Sequence, residues 1–245
     1  MNYARMTKKQ LIAEIEKKDK RVIFLEKIIE FLIHDLKRFI LSIIGHSKKL
    51  HRMYENPEGP KASMASKIIE IARYADRLIE DSIALMESGR NELIVEDFTL
   101  SEIITTLRTL FSAKMKSRDV ELLVPNYEIK LQGSKSEILL IFLNIIENNL
   151  KYGGKNLNVI RIGYKETPKF HILTISNDGA GIKEEYREKI FELRERDKNT
   201  SDSIPGSGFG LAIVREFAER HGGTAIAKSD GIRGVKFVIT ISKNL

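Results

Sequence analysis

Asp178-Gly-Ala-Gly181 and Gly206-Ser-Gly-Phe-Gly-Leu-Ala212 bracket the stretch from which the fold is read. The first cluster follows Phe170-His-Ile-Leu-Thr-Ile-Ser176, an alternating apolar run that predicts a buried strand. The second opens Leu211-Ala-Ile-Val-Arg-Glu-Phe-Ala218, which predicts a helix. Glycines ahead of a helix let backbone N–H groups approach an anion, and the helix N-terminus adds partial positive charge. A phosphate suits such a place. Strand-end turns and helix starts use glycine too, so either cluster alone leaves both readings open.

Upstream lies Glu137-Ile-Leu-Leu-Ile-Phe-Leu-Asn-Ile-Ile-Glu-Asn-Asn-Leu-Lys-Tyr152, apolar enough for a core helix. Asn144 and Asn148 stand four apart and share one of its faces. Two amides on a buried helix need partners, or they cost stability. A metal and a polyphosphate would supply them; so would neighbouring loops to be capped.

Asn144-Ile-Ile-Glu-Asn-Asn-Leu-Lys-Tyr152, Asp178-Gly-Ala-Gly181, Ile190-Phe-Glu192 and Gly206-Ser-Gly-Phe-Gly-Leu-Ala212 resemble, in order and spacing, the N, G1, F and G2 boxes of sensor histidine kinases. The resemblance covers about the last 150 residues. It implies the ATP-binding fold shared with gyrase and mismatch-repair ATPases, a mixed sheet with helices on one face. It also implies ATP and Mg²⁺ as ligands. Asn148 matches the amide that coordinates Mg²⁺. Asn144 stands where the ATPase cousins carry a water-activating glutamate, and an amide cannot be a general base. Lys151 and Tyr152 match residues lining the phosphates and adenine. Asp178 matches the carboxylate that accepts from the adenine amino group, with Gly179 and Gly181 allowing close approach of the nucleotide. Arg196 aligns loosely with an arginine that reaches the γ-phosphate. Gly206, Gly208 and Gly210 match the hinge and phosphate cradle, and the polar stretch from about Leu193 to Pro205 matches a lid. Asn149 departs from the pattern, which has alanine there.

Toward the N-terminus, residues 8–54 hold no proline and one glycine, Gly45. Leu11, Ile15, Val22, Leu25, Ile29, Leu32, Leu36, Phe39, Ile43, Leu50 and Met53 recur in steps of four and three, with Lys18 and His46 filling the gaps. Such a heptad seam predicts one helix of about 70 Å, too long for burial in one small domain, so it needs a partner such as its own copy. Ile28, Ile33, Ile40 and Ile44 widen the apolar face, which suits a four-helix bundle. Glu55-Asn-Pro-Glu-Gly-Pro60 predicts a turn. Met64, Ile68, Ile71, Ala75, Leu78 and Leu85 then predict a second amphipathic helix. Two such hairpins make a dimeric bundle.

His34 falls nearly opposite the Leu32/Leu36 seam and is predicted to face water. His34-Asp35-Leu-Lys37 resembles the H box, in which this histidine receives the phosphoryl group. A neutral imidazole is a nitrogen nucleophile at neutral pH. Asp35 can accept from the other ring nitrogen, although adjacent helix residues do not face each other and a particular rotamer is required. The pattern usually continues with Thr or Asn and then Pro; here Arg38 and Phe39 stand instead. The missing proline predicts a straighter helix. In the family the Thr or Asn positions the water that hydrolyses the phosphorylated partner. Arg38 cannot accept a hydrogen bond, so the chain is expected to be a poor phosphatase. His46, His51, His171 and His221 read as structural, His221 as a cation favoured at a helix C-terminus.

Further strands are predicted at Glu92–Leu100, Val120–Val124 and Tyr127–Leu131, with hairpins at 158–176 and 223–241. Capping boxes are predicted at Thr99/Glu102 and Ser134/Glu137. The fold class is therefore an α-helical hairpin forming a dimeric four-helix bundle, then an α+β two-layer sandwich. The divisions are 1–27, a coiled-coil or signalling helix; 28–90, the dimerisation and phosphotransfer hairpin; and 91–245, the catalytic ATP-binding domain.

Composition bounds the rest. Forty-two per cent hydrophobic residues among 245 afford a sizeable core. The formal charge of +7 comes from bases interleaved with acids, which reads as an ordinary surface with no nucleic-acid partner. The absence of cysteine removes disulfides and thiolate chemistry and fits a cytoplasmic location. No apolar run approaches about 20 residues, so no membrane insertion by this chain is expected. The resemblance implies a homodimer, a response-regulator receiver domain as phosphoryl acceptor and, with no sensor domain visible, a separate sensor protein. Two other classes stay open: a non-signalling ATPase of the same superfamily, and a coiled-coil scaffold that binds nucleotide without turnover.

Overall fold

The computed structural model describes residues 7–54, 68, 72, 79, 83, 92–192 and 209–245. The chain divides into two compact units, Met1–Gly89 and Arg90–Leu245.

In the first unit, α1 (Lys8–Tyr54) is a single α-helix of 47 residues. It continues through Phe39, where the resemblance leads one to expect proline. The apolar stripe read from the sequence is largely uncovered: Leu11, Ile15, Val22, Ile29, Ile40 and Ile44 are all exposed. Leu25, Leu36, Phe39 and Ile43 are half-buried, and Ile28 is fully buried. Nδ1 of His46, half-buried on the seam, lies 2.8 Å from the Ser42 carbonyl one turn back, which is a structural role. Ile68, Ala72, Ile79 and Ile83 are helical. The predicted turn at 55–60 and the rest of the second helix lie outside the described residues.

The second unit is the predicted α+β sandwich. Its main sheet runs in the order β2 (Glu121–Leu123), β4 (Val159–Glu166), β5 (Phe170–Ala180), β7 (Arg233–Ser242), β6 (Ala225–Lys228). β2 pairs with β4 in parallel and the other pairs are antiparallel. Short strands β1 (Glu96–Thr99) and β3 (Lys130–Gly133) form a separate antiparallel pair. The predicted strand at 92–100 is thus confined to its second half.

Period-two alternation gives the sheet one buried face. Ile162, Ile175, Phe237 and Ala227 form one row across β4, β5, β7 and β6, and Leu173, Ile239 and Ala225 form the next. Against such rows pack α3 (Lys135–Tyr152) and α4 (Gly210–Arg220), while α2 (Leu100–Lys116) lies against α3 and β1. Ile138, Ile141, Phe142, Ile145 and Ile146 of α3 are fully buried, as are Leu107 of α2 and Val214 of α4. At about 1.5–3 kcal/mol for each such side chain, this cluster is the principal stabilising element of the domain.

Local signals set the helix starts. Thr99 N–H donates to Glu102 Oε1 at 3.0 Å, as the first capping box predicts. The second box is only half formed. Ser134 Oγ accepts from Glu137 N–H at 3.4 Å, but the Glu137 carboxylate turns to Arg220, 3.1 Å away. His221 takes its place: the Ser134 N–H donates to His221 Nε2 at 3.0 Å. His221 Nδ1 in turn lies 2.7 Å from the Phe217 carbonyl, so it carries the proton. That tautomer is neutral, and burial pushes its pKa down. The predicted helix-end cation is therefore a buried neutral imidazole. Glu137 Oε2 lies 3.8 Å from Nδ1, but the proton there already belongs to Phe217, so no ion pair forms.

Candidate functional site

The site is built along α3: its middle, at Asn144, meets the start of α4, and its C-terminal end, at Gly153, meets the end of β5. Asn144 and Asn148 are both half-buried on α3. Asn144 Nδ2 donates back to the Leu140 carbonyl at 3.0 Å, which fixes the amide and frees its oxygen. That oxygen looks onto α4: a Cβ on Gly210 would come within 2.5 Å of Asn144 Oδ1. Only glycine lets the first residue of α4 lie so close. The first intrahelical bond there is Ile213 N–H to Phe209 O, so the N–H groups of residues 210–212 start the helix without intrahelical acceptors. Asn144 and the anion-favouring end of α4 are thereby brought together.

One turn on, Lys151 Nζ pairs with Glu147 at 3.0 Å, both side chains being mostly buried. Tyr152 is half-buried and closes the helix before Gly153. Gly153 then meets β5. A Cβ on Gly179 would fall 2.3 Å from the Gly153 carbonyl oxygen, and that oxygen accepts from Ala180 N–H at 2.9 Å. Gly179 therefore permits close approach of the protein's own backbone. Gly181 N–H likewise donates to the Ile232 carbonyl, at 3.3 Å.

β5 runs past Ser176, where the apolar alternation stops, to Ala180, with its register to β7 shifting between Asn177 and Ala180. This extension decides which side chains face the helices. Asn177 continues the buried row, paired with Ile160 on one side and Val235 on the other. Asp178 is engaged elsewhere: Oδ1 accepts from the backbone N–H groups of Asn158 and Val159, both at 2.9 Å. Burial works to raise the Asp178 carboxyl, yet these N–H groups outweigh it and hold the pKa below the usual carboxylate range.

Sequence reasoning did not single out Asn177 as a site residue, and treated Asn149 only as a departure. Asn177 Nδ2 donates to Asn149 Oδ1 at 2.9 Å, joining β5 to α3. Asn149 is 3% exposed, and its Nδ2 has no hydrogen-bond partner among the described residues. Leaving such a donor unpaired costs about 1–3 kcal/mol. The period-two pattern from Leu173 and Ile175 was the signal that points to Asn177.

Beyond β5 the chain makes two short 3₁₀ turns, Glu184–Tyr186 and Lys189–Phe191. Phe191, of the Ile190-Phe-Glu192 motif, is 2% exposed and meets Phe237 edge-on at 6.3 Å. The Arg215 guanidinium of α4 stacks 4.8 Å above the Phe191 ring and pairs with Glu188 at 2.9 Å. Arg215 was not read from the sequence. These contacts anchor the segment that leads into residue 193. Arg196, Gly206, Gly208 and the predicted lid lie outside the described residues.

In the first unit, the backbones of His34 and Asp35 belong to α1, while their side chains, and the expectation that His34 faces water, lie outside what is described. Lys37 and Arg38 are exposed beside them, and Lys48 and Lys49 are exposed further along the same helix. The Arg38 guanidinium lies 5.4 Å from the Phe39 ring centroid. Among the described residues no helix is long and apolar enough to cross a membrane, and no cluster of His, Cys, Asp and Glu could hold a metal ion. The fixed Asn144 amide beside the N-terminus of α4 fits a polyphosphate ligand and its counter-ion.

Residues 133–245 match the family described as Histidine kinase-, DNA gyrase B-, and HSP90-like ATPase. Signal transduction histidine-protein kinase ArlS of Staphylococcus aureus (strain USA300) is 30% identical over 219 residues, 87% of this chain and 48% of the relative. Cyanobacterial phytochrome B of Nostoc sp. (strain PCC 7120) is 27% identical over 234 residues, 95% of this chain and 31% of the relative. The chain spans less than half the length of these curated relatives. Among solved structures, histidine kinase ThkA in complex with response regulator protein TrrA gives a TM-score of 0.74 at 21% identity, covering 98% of this chain and 68% of that one. At that identity the likeness speaks to the fold.

Proposed function

We propose that this chain is the dimeric kinase core of a two-component system, because residues 133–245 match this ATPase family and 87% of the chain aligns with the histidine-protein kinase ArlS. Residues 1–27 form the signalling helix, 28–90 the phosphotransfer hairpin and 91–245 the catalytic domain. ATP binds between α3 and α4, its phosphates toward the N-terminus of α4 and the Asn144 face. Lys151, Tyr152, Gly206, Gly208, Gly210 and Arg196 line it. Asn148 would hold Mg²⁺, which would supply charge neutralisation at the phosphate oxygens.

A nitrogen lone pair of the His34 imidazole attacks the γ-phosphorus as the bond to the β–γ bridging oxygen breaks. The bond's electron pair leaves with ADP. Asp35 accepts a hydrogen bond from the other ring nitrogen and stabilises the cation that forms. The phosphoryl group then passes to an aspartate carboxylate on a response-regulator receiver domain. Asn144 supplies no general base, which favours transfer to a protein group over hydrolysis by water.

The observation that carries the reading is the meeting of Asn144 with Gly210, which joins an amide face of α3 to the anion-favouring start of α4. The uncovered apolar stripe of α1 supports a second copy as its partner. Autophosphorylation with γ-labelled ATP tests it. Label should enter the wild-type chain, be acid-labile, and be lost in His34→Ala and Asn148→Ala. Undiminished labelling of His34→Ala, or steady ATP hydrolysis without labelling, rules the assignment out.

A further inference from the structure

Bases and acids are interleaved along the sequence, but the register of the main sheet gathers bases without acids on one side of it. Alternation sends Ile162, Ile175 and Phe237 toward the helices, so their chain neighbours face the other way. On that outer side Arg161, Ser176, Lys236 and Lys228 form one row across β4, β5, β7 and β6. Gly163, Thr174, Val238 and Ile226 form the next row, and Lys165, Ile172 and Thr240 the one after. No aspartate or glutamate stands in these rows; Glu121 lies one row beyond, on the edge strand β2. We propose that this face docks an acidic amphipathic helix of a partner protein, seated along β5 and β7 between the cations of β4 and β6. The proposal does not depend on the nucleotide reading.

The four cations are exposed and unpaired. Among the described residues Arg161, Lys165, Lys228 and Lys236 make no ion pair. Lys135, Lys151, Arg187, Arg215, Arg220 and Lys243 of the same domain all do. Lys228 and Lys236 are moreover direct partners in the register of β6 and β7. Side chains so placed stand about 5 Å apart at Cβ, and like charges there destabilise the pair of strands. The isolated domain therefore carries a local cost that an anion laid over both lysines would relieve.

The shape of the face selects the occupant. Between the cations run Ile172 and Thr174 of β5 and Val238 and Thr240 of β7, all half-buried and uncharged. Arg161 on β4 and Lys228 on β6 are three strand spacings apart, about 14 Å. An α-helix is about 10–12 Å across with its side chains, so one helix fits along the neutral middle with acidic flanks against both cation lines. α3 and α4 already pack on the opposite face of the same strands. The rows hold no aromatic side chain on which bases could stack, which disfavours single-stranded nucleic acid. Their apolar members are half-buried and offer little to an acyl layer, which disfavours a membrane.

The test uses two fluorescein-labelled helical peptides of about five turns, each with leucine along one face. One carries glutamate on both flanks and the other lysine. Fluorescence anisotropy with the full chain should show the glutamate peptide binding, more weakly as salt rises, and the lysine peptide not binding. Arg161→Glu with Lys228→Glu should weaken the glutamate peptide at least about tenfold and admit the lysine peptide. Lys165→Glu with Lys236→Glu repeats the test with the other two cations. Lys48→Glu with Lys49→Glu, on α1, should leave binding unchanged. Thermal unfolding of each variant checks the fold, and Lys228→Glu alone should raise the midpoint while lowering affinity, because it removes the opposed like charges. A glutamate peptide that does not bind the wild type, or binds both double variants of the sheet face as tightly, overturns the proposal. So does binding of phosphatidylserine-containing vesicles that the sheet-face variants abolish while the peptide stays unbound, which would assign the face to a membrane.

Discussion

The Ser134 N–H donates to Nε2 of His221 at 3.0 Å, joining the cap of α3 to the residue that ends α4. Nε2 can accept only while the imidazole is neutral, and burial favours that form by pushing the His221 pKa down. His171 is also pushed down, first by burial and then by Lys243. In the unfolded chain both would take up a proton near pH 6.5. The folded chain binds fewer protons there, so stability is full above that value and falls as pH drops toward the folded pKa values. Glu137, raised by burial, opposes this at the acid end. The unfolding free energy of the catalytic domain should fall on going from pH 7 to 5.5, by at most about 1.4 kcal/mol per pH unit per histidine. His221→Gln should be less steep and about 1–3 kcal/mol less stable at pH 7. Denaturant unfolding at several pH values checks this; stability that rises on acidification contradicts it.

Gly210 governs access to the site. In Gly210→Ala the new methyl meets Asn144 Oδ1 at 2.5 Å, and the amide is already committed to Leu140, so one of the two must shift. Such a displacement costs about 1–3 kcal/mol. Adenine-nucleotide affinity should fall at least about tenfold while the domain still unfolds cooperatively. Asn144→Ala in the same chain removes the obstructing oxygen and should recover most of the stability. Equal nucleotide affinity in wild type and Gly210→Ala would separate α4 from nucleotide binding.

Much of this was legible because periodicity and caps act over a few residues. The seam of α1, the apolar run of α3, both long hairpins and the Thr99 cap follow from local pattern. What was missed depends on partners far along the chain. Glu137 left its capping box for Arg220, a residue brought beside it only when α4 packs on α3. His221 looked like a cation at a helix end, but tertiary burial decided its charge. At β5, the polar run Ser176-Asn-Asp178 read as the end of a strand. The extra strand residues turned Asn177 inward and committed Asp178 to Asn158 and Val159.

Phe191 should be a stability residue with a functional consequence. It is 2% exposed, meets Phe237 edge-on and lies under Arg215. Phe191→Ala removes a buried aromatic ring and should cost about 3–5 kcal/mol. Arg215→Ala, which removes a stacked cation and an exposed ion pair, should cost about 1 kcal/mol. In the double variant the Arg215 contribution should largely vanish, because its stacking surface is gone. A double-mutant cycle by urea unfolding measures this, and fully additive losses would mean the stacking contributes nothing.

The apolar stripe of α1 makes a demand that one chain does not meet. Ile15 and Val22 stand on the seam and are 51% and 53% exposed. Each is already about half covered, so covering the rest is worth about 1 kcal/mol each, and a symmetric pair of helices would cover each position twice. Ile15→Glu with Val22→Glu forfeits that gain and also sets like charges against each other across the seam. The dimer should then dissociate at least about a hundredfold more readily, read by sedimentation across a concentration series. Ile232→Glu is the control, since that residue is more exposed still, at 84%, but lies in the catalytic domain. It should leave the dimer unchanged. A wild-type chain that sediments as a monomer, or an Ile15→Glu/Val22→Glu chain that stays dimeric, would place the subunit contact somewhere other than this seam.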